Sequence, residues 1–501
     1  MIFSGTPRAA GALRWPPAAL ALACALLLSA CANPGPDRAP LAMNTPAAAG
    51  LDASADAAAL APPQWWQALG DARLDALVQQ ALQDSPSLAI ARARLEQAIA
   101  LSQVREAANG PQAQLGADLT RQHYTANGMI PPPVAGHTYN SANLQASLSW
   151  SLDFFGRHAA ELQAALGQAR AAQADAAQAA NVLAAQVANA YVALARLHAQ
   201  QRVMQRLLEQ RSEQLALTEE RVHAGLDNQV TLAQTQAAVP DARTQIEALD
   251  EQITLTRRQL AVLCGQAPDA QATLAPQLSA LHAGEMPTQL GADLLGRRPD
   301  VVAARWRVEA AGHGVDAARK AFYPDINLGA FVGLNALGLD QLLRGSSRQI
   351  GVAPALRLPL FDGGLLRAQL GSQRAEQDAA IAQYNALVLQ AAQQAGDAIA
   401  SLQSLARQQT QQAQAGAAAE RAYDFAQQRY RAGLGGYLVV LASETQVLAQ
   451  RQQGVDLLAR QLSARIALMQ ALGGGWPGDG APLPATAATA TTTAAPLSNN
   501  R

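Results

Sequence analysis

The chain carries nearly the same message in each half. Arg92, Arg94 and Glu96 recur as Arg305, Arg307 and Glu309, and Pro111, Leu115, Gly116 and Ala117 recur as Pro324, Leu328, Gly329 and Ala330, all 213 residues further on. Arg221, Ala224, Gly225 and Leu226 recur as Arg429, Ala432, Gly433 and Leu434 at an offset of 208, which also carries Leu260 and Gly265 onto Leu468 and Gly473. A repeat of this period makes each half one copy of a structural unit, so any fold must accommodate both copies. The 501 residues therefore read as one duplicated body rather than a string of unrelated domains.

Within each copy the longest feature is helical. No proline falls between Pro133 and Pro240 or between Pro359 and Pro477, and Ala, Gln, Leu, Arg and Glu dominate both stretches. The runs Arg157–Val222 and Leu365–Arg431, 66 and 67 residues, correspond to helices about 100 Å long. Helices of that length need partners along their flanks, and alanine permits close approach. Gly225 and Gly433 suit C-terminal turns, after which helical sequence resumes over Val230–Leu263 and Leu438–Leu472. Each repeat thus predicts a long helical hairpin.

The N-terminus reads as a bacterial export signal over residues 1–30, with Arg8 and Arg14 ahead of the apolar run Ala18 to Leu28, too short to span a membrane permanently. Leu28, Ser29, Ala30 and Cys31 resemble the lipobox of bacterial lipoproteins, which implies cleavage before Cys31 and a diacylglycerol on its sulfur. Ala32, in place of an aspartate, implies the outer membrane. Cys264 is then the only other cysteine, so no intramolecular disulfide framework is expected. Charged residues make up 15% of the chain and the net charge is −1, which leaves no electrostatic footprint for nucleic acid.

Four segments alternate with period two instead of the helical period. Ala113, Leu115, Ala117 and Leu119 interleave with polar residues, as do Leu144, Ala146, Leu148, Trp150 and Leu152. In the second copy, Ile326, Leu328, Ala330, Val332 and Leu334 alternate with Asn327, Gly329, Phe331 and Gly333. Ile350, Val352, Pro354, Leu356, Leu358 and Leu360 alternate with Gly351, Ala353, Ala355 and Arg357. Loops at 122–141 and 335–348 separate the strands of each pair. One apolar and one polar face suits an outer-membrane barrel, but four strands cannot close one, and open edges in lipid cost several kcal/mol per unpaired backbone group. The barrel must be shared between chains, with 8, 12 or 16 strands in total.

The stretch Pro62, Pro63, Gln64, Trp65, Trp66, then Leu69, Asp71, Leu74, Leu77 and Ala81, resembles the opening of the TolC-like outer-membrane efflux channels in their lipoprotein (NodT-type) branch. Arg297, Arg298, Pro299, Asp300 and Val301, followed by Ala310, Ala311, Ala317, Phe322 and Pro324, and the turn Phe361–Gly364 belong to the same resemblance, which covers roughly residues 60 to 476. It implies a mainly α protein with a β-barrel portion: a homotrimer with a 12-stranded transmembrane barrel on a 12-helix periplasmic barrel. A periplasmic adaptor and a proton-driven inner-membrane pump of the resistance-nodulation-division type would feed it. Small molecules, multidrug substrates among them, would pass passively to the exterior.

The resemblance also assigns residues. Arg221, Gly225, Leu226, Arg429, Gly433 and Leu434 would meet the adaptor at the periplasmic tip, while Leu438 and Tyr430 would belong to the aperture and its gate network. Where relatives carry aspartates around the aperture, this chain has Val439 and Ala442, so a carboxylate ring is not expected there, although Glu444 lies near. The expected partition is a signal at 1–30, a lipid-anchored tail at 31–61, repeats at 62–287 and 288–476, and a low-complexity tail at 477–501. No HExxH, cysteine cluster, phosphate loop or nucleophile elbow occurs, so neither catalysis, a metal nor a cofactor is expected. The nearest rival is an outer-membrane factor for type I protein secretion.

Overall fold

The computed structural model describes residues 36, 38–44, 62–282, 297–476 and 483. The export segment with Cys31, most of the tail at 31–61, the expected division between repeats at 287/288 and, but for residue 483, the C-terminal tail lie outside the described residues.

The principal elements are α1 (Ala72–Asp84), α2 (Pro86–Ala108), β1 (Gln112–His123), β2 (Thr138–Leu152), α3 (Arg157–His223) and α4 (Gln229–Leu263) in the first half. The second half has α5 (Pro299–Lys320), β3 (Asp325–Leu337), β4 (Arg348–Arg357), α6 (Leu365–Arg431) and α7 (Tyr437–Ala471). The long helices meet their expected limits to within one residue. Three strands run beyond the alternation that announced them. β4 falls short: Leu358 and Leu360 keep the period but lie outside the strand, because Pro359 offers no N–H to a ladder and the chain turns at Asp362 to enter α6.

The described residues divide into two compact units, one holding 38–41, 100–168 and 307–380 and the other holding 42–44, 62–99, 169–282, 297–306 and 381–476. In the first, the strands form one antiparallel sheet in the order β1-β2-β3-β4. Its register puts Leu115, Ala146, Val332 and Ile350 in one row, with Ala113, Leu148, Ala330 and Val352 in the next apolar row. The alternating apolar sets of the four strands thus share a face, and Leu115, Val332, Ile350, Val352 and Leu356 are exposed on it. The opposite face carries a polar ladder in which Gln349 donates to Asn143 (2.9 Å) and Gln145 (3.1 Å). β1 and β4 are the edges.

The second unit is helical, and the sequence signatures build its core. Trp65 and Trp66, set edge to face at 5.8 Å, bury with Leu69, Leu74, Leu77 and Val78 against Leu183, Val187, Tyr191, Leu260, Leu462 and Ile466. Asp71 caps α1 through Arg73 N–H (2.9 Å) and accepts the buried Tyr191 hydroxyl at 2.6 Å. The buried Arg298 grips Asp300 at 2.8 and 3.1 Å and also donates to Gln394 (3.0 Å) and to the Ala471 carbonyl at the end of α7 (3.2 Å). Among the described residues no helix is long and apolar enough to cross a membrane.

Candidate functional site

Both hairpins turn by the same device. Gly225 (φ 72°) and Gly433 (φ 73°) adopt the left-handed conformation that ends a helix. Leu226 N–H reaches back to Arg221 O at 2.8 Å and Leu434 N–H to Arg429 O at 2.9 Å, so the repeated Arg-x-x-Ala-Gly-Leu pattern encodes one hydrogen-bonded cap twice. Nothing lies within 4 Å of a side chain built on either glycine. Leu226 and Leu434 stand 67% and 71% exposed, and the two turns present small apolar surfaces that this chain leaves uncovered.

Around this shared cap the two turns differ, and the difference ties them together. Tyr430, 1% exposed, donates its hydroxyl hydrogen to Asp227 Oδ2 at 3.0 Å. The Arg221 guanidinium stacks over the Tyr430 ring at 4.6 Å, with Nε 3.5 Å from the same carboxylate oxygen. Burial works against charge on Asp227, but hydrogen bonds from Asn228 N–H, Thr231 and Tyr430, with Arg221 beside them, outweigh it and hold the carboxyl below its ordinary range. Burial pushes the Tyr430 phenol up, and the Asp227 carboxylate adds to that shift. Tyr437 packs against Tyr430 with ring centroids 5.8 Å apart.

Further along the helices a second charged cluster joins α3, α4 and α7. Arg211 donates to Ala238 O (3.0 Å) and Asp241 (3.3 Å), and its Nε lies 3.8 Å from Glu444 Oε2. Burial raises the Glu444 carboxyl above its ordinary range, against the pull of Arg211. Burial beside Glu444 also pushes the Tyr437 phenol up to about 12.

Of the residues singled out in the sequence, the structure exposes Gly225, Leu226, Arg429, Gly433 and Leu434, and leaves Leu438 63% exposed beside exposed Val439 and Ala442. Arg221 is turned inward onto Tyr430 and Asp227, and Tyr430 is buried among Ala426, Tyr437 and Val440. Asp227, Arg211 and Tyr437 did not stand out in the sequence, and Glu444 did so only by nearness. The available signal was a break in the repeat: at the offset of 208, Asp227 falls on Gly435, Tyr430 on Val222, Arg211 on Ala419 and Glu444 on Gln236.

The sequence profile described as "Outer membrane efflux protein" matches residues 77–266 and 290–474, one stretch in each half. The chain belongs to the outer membrane efflux protein family. Among relatives of this efflux protein, the multidrug resistance outer membrane protein MdtQ of Escherichia coli O157:H7 is 33% identical over 469 residues, 91% of this chain and 98% of MdtQ. Among solved structures, the outer membrane protein VceC of Vibrio cholerae is 35% identical with a TM-score of 0.77, covering 83% of this chain and all of VceC. The outer-membrane channel OprN is 26% identical with a TM-score of 0.79, covering 89% of this chain and all of OprN. The efflux protein is thus an outer-membrane channel, with the helical-barrel and β-barrel fold of these channels.

Proposed function

We propose that three copies assemble into the conducting channel, each contributing four strands to a 12-stranded barrel and four long helical segments to a 12-helix periplasmic tunnel. The observation that carries this reading is the sheet itself: it has an apolar outer face and two open edges, β1 and β4. In lipid those edges must find strands, and further copies of the same chain supply them. Solutes cross passively. A periplasmic adaptor docks on the exposed Gly-Leu turns and hands over the cargo of a proton-driven inner-membrane pump, with the Tyr430 network and the exposed Leu438 controlling the aperture. Lipid on Cys31 adds an anchor to a barrel that inserts by itself. The multidrug resistance in the name of MdtQ makes small, chemically varied antimicrobials the cargo expected here.

The test is the mass of the detergent-extracted protein, together with drug susceptibility of a strain lacking its own outer-membrane factor. A trimer that restores resistance when supplied with its neighbouring pump and adaptor is the expected result. A stable monomer with full strand content overturns the shared barrel, and rescue of protein secretion without drug export points to the rival reading.

A further inference from the structure

Phe331 lies midway along the polar face of the sheet, whose other large apolar or aromatic members, Tyr139 and Leu337, lie at its loop end. Gln114, Ser147, Phe331 and Gly351 lie in a single row across the four strands, so Phe331 shares the face of the Gln349, Asn143 and Gln145 ladder and points away from the lipid side. Along β3 its neighbours on that face are Gly329 and Gly333, and across β4 it meets Gly351. A side chain built on Gly351 would come within 2.5 Å of Phe331 Cζ and 2.7 Å of Cε1, so the outer edge of the ring occupies the space a β-carbon would need. The ring is only partly covered. Gly351 clears a place for this ring, on a stretch of wall whose near neighbours are Gln114, Ser147 and the Gln349, Asn143 and Gln145 ladder.

An aromatic ring can cover a bare strand glycine for structural reasons alone. That accounts for the edge lying over Gly351; a β-carbon on Gly333 would run into the β2 backbone at Leu144 and Gln145, and one on Gly329 would come within 3.3 Å of Ala353 O, and with no side chain at either position the rest of the ring stays open along β3. With the trimer proposed above, three such rings lie at one level of a water-filled lumen. We infer that Phe331 forms an aromatic contact site inside the barrel at which planar aromatic solutes pause during passage, making it a specificity-determining residue for transit. Ring-to-ring contact adds attraction beyond area burial, while solutes without rings meet only the polar wall.

The inference rests on the assembled channel, and current recording separates the two. Trimers in a planar bilayer are exposed to ethidium, a planar aromatic cation, and to tetrabutylammonium, which has the same charge and no ring. In the wild type, ethidium should produce resolvable blocks. Phe331→Leu should shorten their dwell time about three- to tenfold, leave tetrabutylammonium unchanged, and be rescued by Phe331→Tyr. Phe331→Met repeats the comparison if the leucine variant yields no trimer. Unchanged ethidium dwell in conducting Phe331→Leu channels overturns the site, as does an equal change for both probes, which would make Phe331 a matter of bore alone. Wild-type protein that yields no channel sinks the assembly, and the lumen site with it.

Discussion

The hydroxyl of Tyr430 donates to the carboxylate of Asp227 at 3.0 Å, a bond that joins the turn of the second hairpin to the turn of the first across 203 residues of sequence. Because the acceptor is a carboxylate whose side chain is only 12% exposed, this bond belongs to the stronger class, and it adds to the stacking of Arg221 on the Tyr430 ring in linking the two turns.

Tyr430→Phe keeps the ring under Arg221 and deletes only the donor. We expect a more open resting channel, read as a higher single-channel conductance in a planar bilayer, with trimer yield unchanged. Asp227→Ala, which also strips Arg221 of its partner, should have the larger effect. Equal conductance in wild type and both variants would remove this bond from the gate.

Gly225→Val and Gly433→Val place a branched side chain at φ values of 72° and 73°, at a cost of about 1–2 kcal/mol each. With nothing within 4 Å, crowding within the chain contributes nothing. Drug export should fall while protein level and trimer formation stay near normal, and Gly→Asn, which tolerates this conformation, should be milder. Full resistance in both valine variants would place adaptor docking elsewhere.

Leu438 is exposed in the single chain, so Leu438→Ala should change heat stability little. Three leucines around the axis would form a constriction that resists wetting, and their loss should raise conductance. Ala442→Asp should make the channel more cation-selective by supplying the missing carboxylates. Unchanged conductance in Leu438→Ala would reduce this residue to ordinary surface.

The buried Glu444 carboxyl titrates above its ordinary value near 4.5. A folded state that raises a carboxyl's pKa binds the proton more tightly than the unfolded state. This group's contribution is therefore most favourable below that ordinary value and weakens as pH rises through the folded one. Glu444→Gln should flatten that slope in the melting temperature measured from pH 4 upward. An unaltered slope would assign the pH dependence to other groups.

Cys31→Ala should abolish metabolic labelling with palmitate and leave channel conductance intact, because the strands alone secure insertion. Labelling that survives the substitution would remove the lipoprotein reading.

What is local or repeated could be read directly from the residues. Helix limits at Arg157, Leu365 and Arg431 were legible because breaker-free runs and terminal glycines act over a few residues, and the two Arg-x-x-Ala-Gly-Leu caps because the chain spells them twice. The four strands showed in their period of two, although β2 begins at Thr138, inside what reads as a loop over 122–141, and β4 stops before Pro359, since alternation says nothing about whether an N–H is there to pair. Tertiary structure alone decided the rest. Which helix faces meet depends on how long helices wind past one another, and no period in the sequence records that. Hence Arg221, grouped with Arg429 by the repeat, turns inward because Asp227 and Tyr430 stand beside it, while Arg429 has no such pair and stays exposed. Asp227 with Tyr430, and Arg211 with Glu444, lie where the two copies disagree. Duplicated residues build each hairpin alike, whereas these two contacts between the copies pair unlike residues, a carboxylate with a phenol and a carboxylate with a guanidinium.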